Sequence, residues 1–189
     1  MPAPSTSTPV ETPELAYGAV LAEALPPREY QALMDSTFLN SQRRTAITLV
    51  AVGHTLNSAA QTMGVKPTTL TSYLASAANE LRCHQRVSLL VHCAYSHPDF
   101  PAPTRLGGPA PKLDADEWMV LSAHADGIFF KQLSKAKGFD VNVLTAINHS
   151  LLAKLQADSP AHAVRRAWQY GLLPRDDAPA GPSAKAQAR

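Results

Sequence analysis

The sequence predicts an all-α protein, two tandem four-helix units behind a short helical N-terminal extension. Three observations carry this expectation. Aromatic residues make up only 6% of the chain while alanine and proline are abundant, a mixture that suits helices joined by irregular segments better than a sheet. Apolar residues recur at helical spacing through three stretches. The last of these stretches repeats the one before it without a gap.

Residues 1–13 are rich in Pro, Ser and Thr, lack a hydrophobic period and read as a disordered tail. Residues 14–38 read as two short helices separated at Pro26-Pro27. Leu15, Val20, Leu21 and Leu25 mark the inner face of the first, and Tyr30, Leu33 and Met34 that of the second. Pro27 falls near a helix start, where a missing N–H costs least.

Residues 39–100 hold four helices. Ala46, Ile47 and Val50 face inward on the first, and Gly53 is placed to end it. A short helix at about 57–63 turns Ala59, Ala60 and Met63 inward, and Gly64-Val65 makes a tight turn. Pro67 opens a longer helix on which Leu70, Tyr73, Leu74, Ala77 and Leu81 recur at helical spacing. A fourth helix near 85–95 places Val87, Leu90, Val91 and Ala94 together. Residues 101–111, PAPTRLGGPAP, cannot hold a helix interior and read as a linker. Residues 112–174 form the second four-helix unit, and residues 175–189 a second disordered tail.

The repeat has a fixed register. Leu39, Ala51, Gly53, Gly64, Leu70, Thr71, Ser76 and Leu81 return as Leu113, Ala125, Gly127, Gly138, Leu144, Thr145, Ser150 and Leu155, each 74 positions on. The paired glycines fall where the chain must turn, which favours duplication.

Composition narrows the function. Two cysteines, Cys83 and Cys93, are too few for a disulfide framework. The first residues lack the basic and apolar run of a signal peptide, and no apolar stretch spans a bilayer, so a cytoplasmic, nucleoid-associated protein with no membrane partner is expected. The net charge of +2 identifies no partner, but its distribution is uneven. Residues 39–100 carry Arg43, Arg44, Lys66, Arg82 and Arg86 against Glu80 and Asp99, whereas residues 112–174 nearly balance basic and acidic groups. No Gly-rich phosphate loop, nucleophile elbow or carboxylate pair is present, so neither an enzyme nor a cofactor is expected.

Residues 39–83 resemble the LuxR-type, or GerE-like, helix-turn-helix domain. Leu39-Asn40, Ala51-Val52-Gly53, Met63-Gly64-Val65, Thr69-Leu70-Thr71 and Glu80-Leu81 fall in the family's register. Gln42-Arg43 stands where the family has Arg-Glu, and Thr71 where it has a lysine. Residues 113–155 resemble it less closely, with Asp116-Glu117 near the Arg-Glu position and Lys137 where the pattern has a buried apolar residue. That lysine implies either a buried stem with its charge in water or a different packing.

The resemblance implies a sequence-specific transcriptional regulator bound to double-stranded DNA, with a recognition helix in the major groove. In the first unit Lys66, Thr68, Thr69, Thr71 and Ser72 lie near the start of that helix, with Arg43, Arg44, Arg82 and Arg86 as phosphate contacts. In the second, Asn142, Thr145 and His149 face outward and Lys131 flanks them. Asp140 there caps a helix well but faces phosphate badly, so residues 112–174 read as a weaker DNA contact or as a protein-binding surface. LuxR-type domains pair through the fourth helix, which implies a homodimer through Val87, Leu90, Val91, Ala94 and Tyr95, or one chain spanning two half-sites.

The remaining features have plainer readings. Cys83, His84, His92, Cys93 and His97 follow no zinc-finger spacing, so no metal is expected. Trp118 and Trp168 read as core, Arg165-Arg166 as a solvated face, and His124, His149 and His162 as isolated structural or exposed groups.

Overall fold

The computed structural model describes residues 13–173, and every regular element among them is a helix. The predicted tails therefore lie outside the described residues, apart from Pro13, which opens α1. The order is α1 (Pro13–Ala24), α2 (Pro27–Asp35), α3 (Ser41–Ala51), α4 (Leu56–Thr62), α5 (Pro67–Glu80), α6 (Val87–Ser96), α7 (Ala115–Ala125), α8 (Phe130–Lys137), α9 (Val141–Leu155) and α10 (Pro160–Tyr170). Among the described residues no helix is long and apolar enough to cross a membrane.

The helix spans obey the sequence register. Shifting α3 by 74 positions gives α7, and the starts of α4 and α5 shift onto those of α8 and α9. Only α10 begins one residue early relative to α6. The stop signals repeat as well. Gly53 and Gly127 have φ of 108° and 70°, and Gly64 and Gly138 have 65° and 76°. Even the non-glycine pair Arg82 and Gln156 shares the left-handed region, at 53° and 52°. Start signals come from side chains at the helix entrances. Asn40 accepts from the Arg43 N–H at 2.9 Å, Thr55 from that of Ser58 at 3.1 Å, and Asp114 from that of Glu117 at 2.9 Å.

Two apolar clusters hold the helices. Leu21, Leu25, Leu33, Ala46, Ile47, Val50, Leu70, Leu74, Leu90 and Val91 belong to the first, and Val120, Leu121, Leu133, Leu144, Leu151 and Leu155 to the second. Each buried leucine contributes about 1.5–3 kcal/mol relative to exposure. α10 joins them, giving Ala161, Val164 and Trp168 to the first cluster and Ala163 and Ala167 to the second.

The quartets α3–α6 and α7–α10 pack reciprocally. α6 lies on α10, α10 on α3, and α6 on α7. The equivalent glycines show why this needs small residues. A Cβ on Gly53 would sit 2.9 Å from His162 Nδ1, and one on Gly127 would sit 2.8 Å from Leu89 Cδ2. Each glycine closes the first helix of its quartet, and each is covered by the fourth helix of the other. That exchange of contacts is the mark of an isologous, two-fold-like interface.

Buried polar groups lock this seam. Arg165 donates to Glu29 Oε1 and, at 2.8 Å, to the Tyr95 hydroxyl. The Thr104 N–H donates to Glu29 Oε2 at 3.0 Å, so the N-terminal helices and the segment after α6 meet at the same carboxylate. Trp168 Nε1 donates to His92 Nδ1 at 3.1 Å. Burial would lower the Arg165 pKa, but Tyr95 and Glu29 outweigh it and hold the guanidinium charged. Arg165 is 3% exposed, which corrects its reading as a solvated face. Met34 is also corrected: it points outward, and Glu29 takes the inward position on α2.

The quartets differ in two matched pairs. Arg43 of α3 pairs with Glu80 of α5, and the equivalent Glu117 of α7 pairs with Lys154 of α9 at 2.6 Å. The charges are exchanged at the same two positions. Burial pushes the Glu117 carboxyl up, but Lys154, the Asp114 N–H and Ser150 outweigh this and hold it below the ordinary range. The apolar pair Val50 and Leu74 becomes His124 and Asn148, joined at 2.7 Å.

His124 is buried with Nδ1 unpartnered. Burial lowers its pKa from 6.5, Asn148 offsets part of this, and nearby Arg86 lowers it further. The folded state therefore favours the neutral ring, and the unfolded chain takes up the proton first. Its contribution is intact above pH 6.5 and is lost as pH falls below that value. His124→Val with Asn148→Leu copies the first quartet. Urea unfolding of this double variant should show a shallower fall in stability from pH 7 to 5, and an unchanged slope would refute the assignment.

Candidate nucleic-acid interface

The turn at Gly64 joins α4 to α5, and the equivalent turn at Gly138 joins α8 to α9. α5 buries Leu70, Leu74, Ala77 and Ala78 against α3 and α4, which fixes its outward side. Lys66, Thr68, Thr71 and Ser72 are exposed there, with Thr69 half-buried at the edge. The Thr71 hydroxyl donates to the Pro67 carbonyl at 2.9 Å and that of Ser72 to the Thr68 carbonyl at 3.0 Å. Both hydroxyls thus spend their proton on the helix and present lone pairs outward, as acceptors suited to an amino or cationic donor.

The predicted phosphate contacts divide sharply. Arg82 is exposed just past the end of α5. Arg43 is paired with Glu80, so it brings no free charge to the face. Arg44 requires correction. It is 8% exposed and donates to the carbonyls of Leu33, Phe38 and Leu39, tying α2 and the entry to α3 together. Arg86 also requires correction. Its guanidinium lies 3.8 Å from the Phe129 ring centroid and donates to the Gly127 carbonyl at 3.3 Å, so it bridges the quartets. Burial lowers its pKa.

α9 presents Asn142, Thr145 and His149 on its exposed side, and Lys131 is exposed on α8. Thr145, the equivalent of Thr71, makes the same bond to the helix, donating to the Val141 carbonyl at 2.9 Å. The charge at the helix entrance is reversed. Asp140, whose carboxylate accepts from the Asn142 N–H at 2.7 Å, replaces Lys66. Val141 and Val143 are 42% and 47% exposed, so this face is more apolar than that of α5. Lys137 is exposed in a helix one residue longer than α4, which selects the altered packing over a buried stem.

The predicted self-association surface requires correction too. Leu90, Val91, Ala94 and Tyr95 are buried in the first cluster, which Val164 and Trp168 of the same chain help to build. The fourth helix finds its partner within the chain. A cleft of about 270 Å³ opens on this seam, lined by residues of α3, α4, α6 and α10 and their entrances, including His54, Arg86 and Ser159. Neither α5 nor α9 lines it. The sequence reading passed over Glu29 and misassigned Tyr95 and Arg165, which together position the quartets.

No protein-family model, curated protein or solved structure matches this chain.

Proposed function

We propose that this protein is a sequence-specific DNA-binding transcriptional regulator, and that one chain acts as the equivalent of a dimer. The observation that carries this reading is the reciprocal packing of two helix-turn-helix quartets through α6 and α10. Each quartet leaves one long helix, α5 or α9, with an exposed polar side near its start. A helix of this width fits the major groove, and its first residues reach base edges. α5 is the stronger reader, through Lys66, Thr68, Thr71 and Ser72, with Arg82 on the phosphates. α9 contributes Asn142, Thr145 and His149, flanked by Lys131. The two half-sites are therefore unequal, and the LuxR-like register supports the same assignment of the recognition helix.

Selection from random duplexes tests this. The expected product is a bipartite motif with unequal halves, bound by one chain per duplex in sedimentation. Failure to enrich any motif would refute the reading, and two chains per motif would refute the single-chain arrangement.

Exposed Val141 and Val143, with Asp140 beside them, favour a second reading in which residues 112–174 contact another regulator, a sigma factor or RNA polymerase. Asp140→Lys separates the two. It raises general DNA affinity if α9 faces phosphate and leaves it unchanged if α9 faces protein.

A further inference from the structure

We propose that the cleft on the seam binds a small aromatic carboxylate, with its ring beside α4 and its anionic end on Arg86 and Ser88 at the entrance to α6. The unequal quartets account for the ring. Thr55 and Leu56, at the start of α4, line the cleft, and 74 positions on they return as Phe129 and Phe130. In the second quartet both rings are engaged. The Arg86 guanidinium lies 3.8 Å from the Phe129 centroid, and the Phe130 ring lies 5.5 Å from that of His124. Arg86 itself returns as Pro160, which also lines the cleft. The first quartet thus has Thr55 and Pro160 where the second has an aromatic ring and a cation. A ring is absent on one side of the seam, and a cleft of about 270 Å³ stands there. That volume lies at the small end of ligand sites and suits one ring with a short polar group. Leu56, 41% exposed, and Pro160 give the ring apolar walls.

The polar groups of the cleft select an anion. Among the described residues that line it none is acidic, and Arg86 brings a fixed positive charge. One guanidinium nitrogen donates to the Gly127 carbonyl at 3.3 Å, which holds the group across the seam and leaves its other N–H groups for a carboxylate. Ser88 is 4% exposed, lines the cleft, and its hydroxyl has no hydrogen-bond partner among the described residues. A buried hydroxyl left in that state is costly, and a ligand oxygen satisfies it. α6 starts after Arg86 without a side-chain cap, so its first N–H groups also remain open to an anion. On the facing helix, the Ser159 hydroxyl accepts from the His162 N–H at 3.2 Å and keeps its own proton to donate. Asp158, beside it in sequence, turns instead to His162 Nδ1 at 3.3 Å. A bound carboxylate would touch α6 and α10 together and so stabilise the seam. This inference does not depend on what α5 binds.

The test titrates sodium benzoate into the isotope-labelled full chain at constant ionic strength and follows the backbone amides by NMR. The expected result is saturable shifts at Val87, Ser88 and Ala161, with a dissociation constant of about 1 mM or below. Benzamide keeps the ring and acetate keeps the charge, and each should bind at least about tenfold more weakly. Thr55→Phe and Leu56→Phe copy the second quartet and should each weaken benzoate at least about tenfold by filling the cleft. Leu56→Phe leaves the Thr55 cap on the Ser58 N–H in place, so the fold is kept. Arg86→Gln should bring benzoate down to the level of benzamide. Equal binding of benzamide and benzoate would overturn the anionic end, and undiminished affinity in Leu56→Phe would overturn the location. Shifts that stay linear, without saturation, would overturn the site. So would an Overhauser contact in the free protein between Leu56 and another segment of this chain or a second copy, because the cleft would already be filled.

Discussion

Replacing Arg165 with alanine is expected to cost about 3–5 kcal/mol of folding stability, because it leaves a buried carboxylate without its counter-charge. The side chains of Arg165 and Glu29 are each 4% exposed. With the guanidinium removed, Glu29 keeps only the Thr104 N–H, and Tyr95 loses the donor at its hydroxyl. The vacated volume adds a cavity beside Tyr95, whose ring centroid lies 6.2 Å from that of Trp168. Urea unfolding at pH 7 measures the loss. Glu29→Gln with Arg165→Met is the control, since removing both charges is often neutral where removing one is not. The double variant should recover most of the stability. A loss below about 1 kcal/mol in Arg165→Ala would mean that water reaches the carboxylate and that the seam is not locked there.

The network that makes this prediction was present in the sequence as a broken pattern. Glu29 stands four residues before buried Leu33 on one face of α2, just after buried Leu25 in the turn that leads into the helix. Arg165 likewise interrupts the stripe of Ala161, Val164 and Trp168 on α10. A charge inside an apolar stripe points to a buried partner. The identity of that partner does not follow from spacing, because Glu29 and Arg165 meet across 136 positions. The helices were far more legible. Their starts and stops depend on local groups such as Asn40, Asp114, Pro67 and the positive-φ glycines Gly53, Gly64, Gly127 and Gly138, which act within one turn.

Site residues were legible to the same extent that they were local. Thr68, Thr71 and Ser72 face outward because Leu70 and Leu74 face inward on the same helix. Arg44 and Arg86 defeated sequence reading because their acceptors are backbone carbonyls, which every residue carries and no pattern marks. The fourth helix shows the same limit from the other side. An apolar face on α6 announces a partner, but only the fold shows that α10 already fills it.

Thr71→Asp is expected to weaken specific DNA binding by about 1–3 kcal/mol, or roughly five- to 150-fold, if α5 reads the major groove. Thr71 is exposed in the second turn of α5, and its hydroxyl is bonded only to the Pro67 carbonyl. A carboxylate there adds a negative charge next to the polyanion and disturbs no buried contact, so the fold should be unaffected. Thr145→Asp at the equivalent point of α9 should cost less, because Asp140 already sets a negative charge at that helix entrance. Arg82→Ala should lower affinity on all sequences and reduce the salt dependence by about one phosphate contact. Arg44→Glu should behave differently from all three. Its guanidinium holds three carbonyls inside the fold, so it should lower the unfolding midpoint first, and any loss of DNA binding should follow from that. Fluorescence anisotropy on the selected duplex, paired with unfolding of each variant, separates these outcomes. Unchanged affinity in Thr71→Asp, with the fold intact, would remove α5 from the DNA and leave the quartets as a protein-binding module.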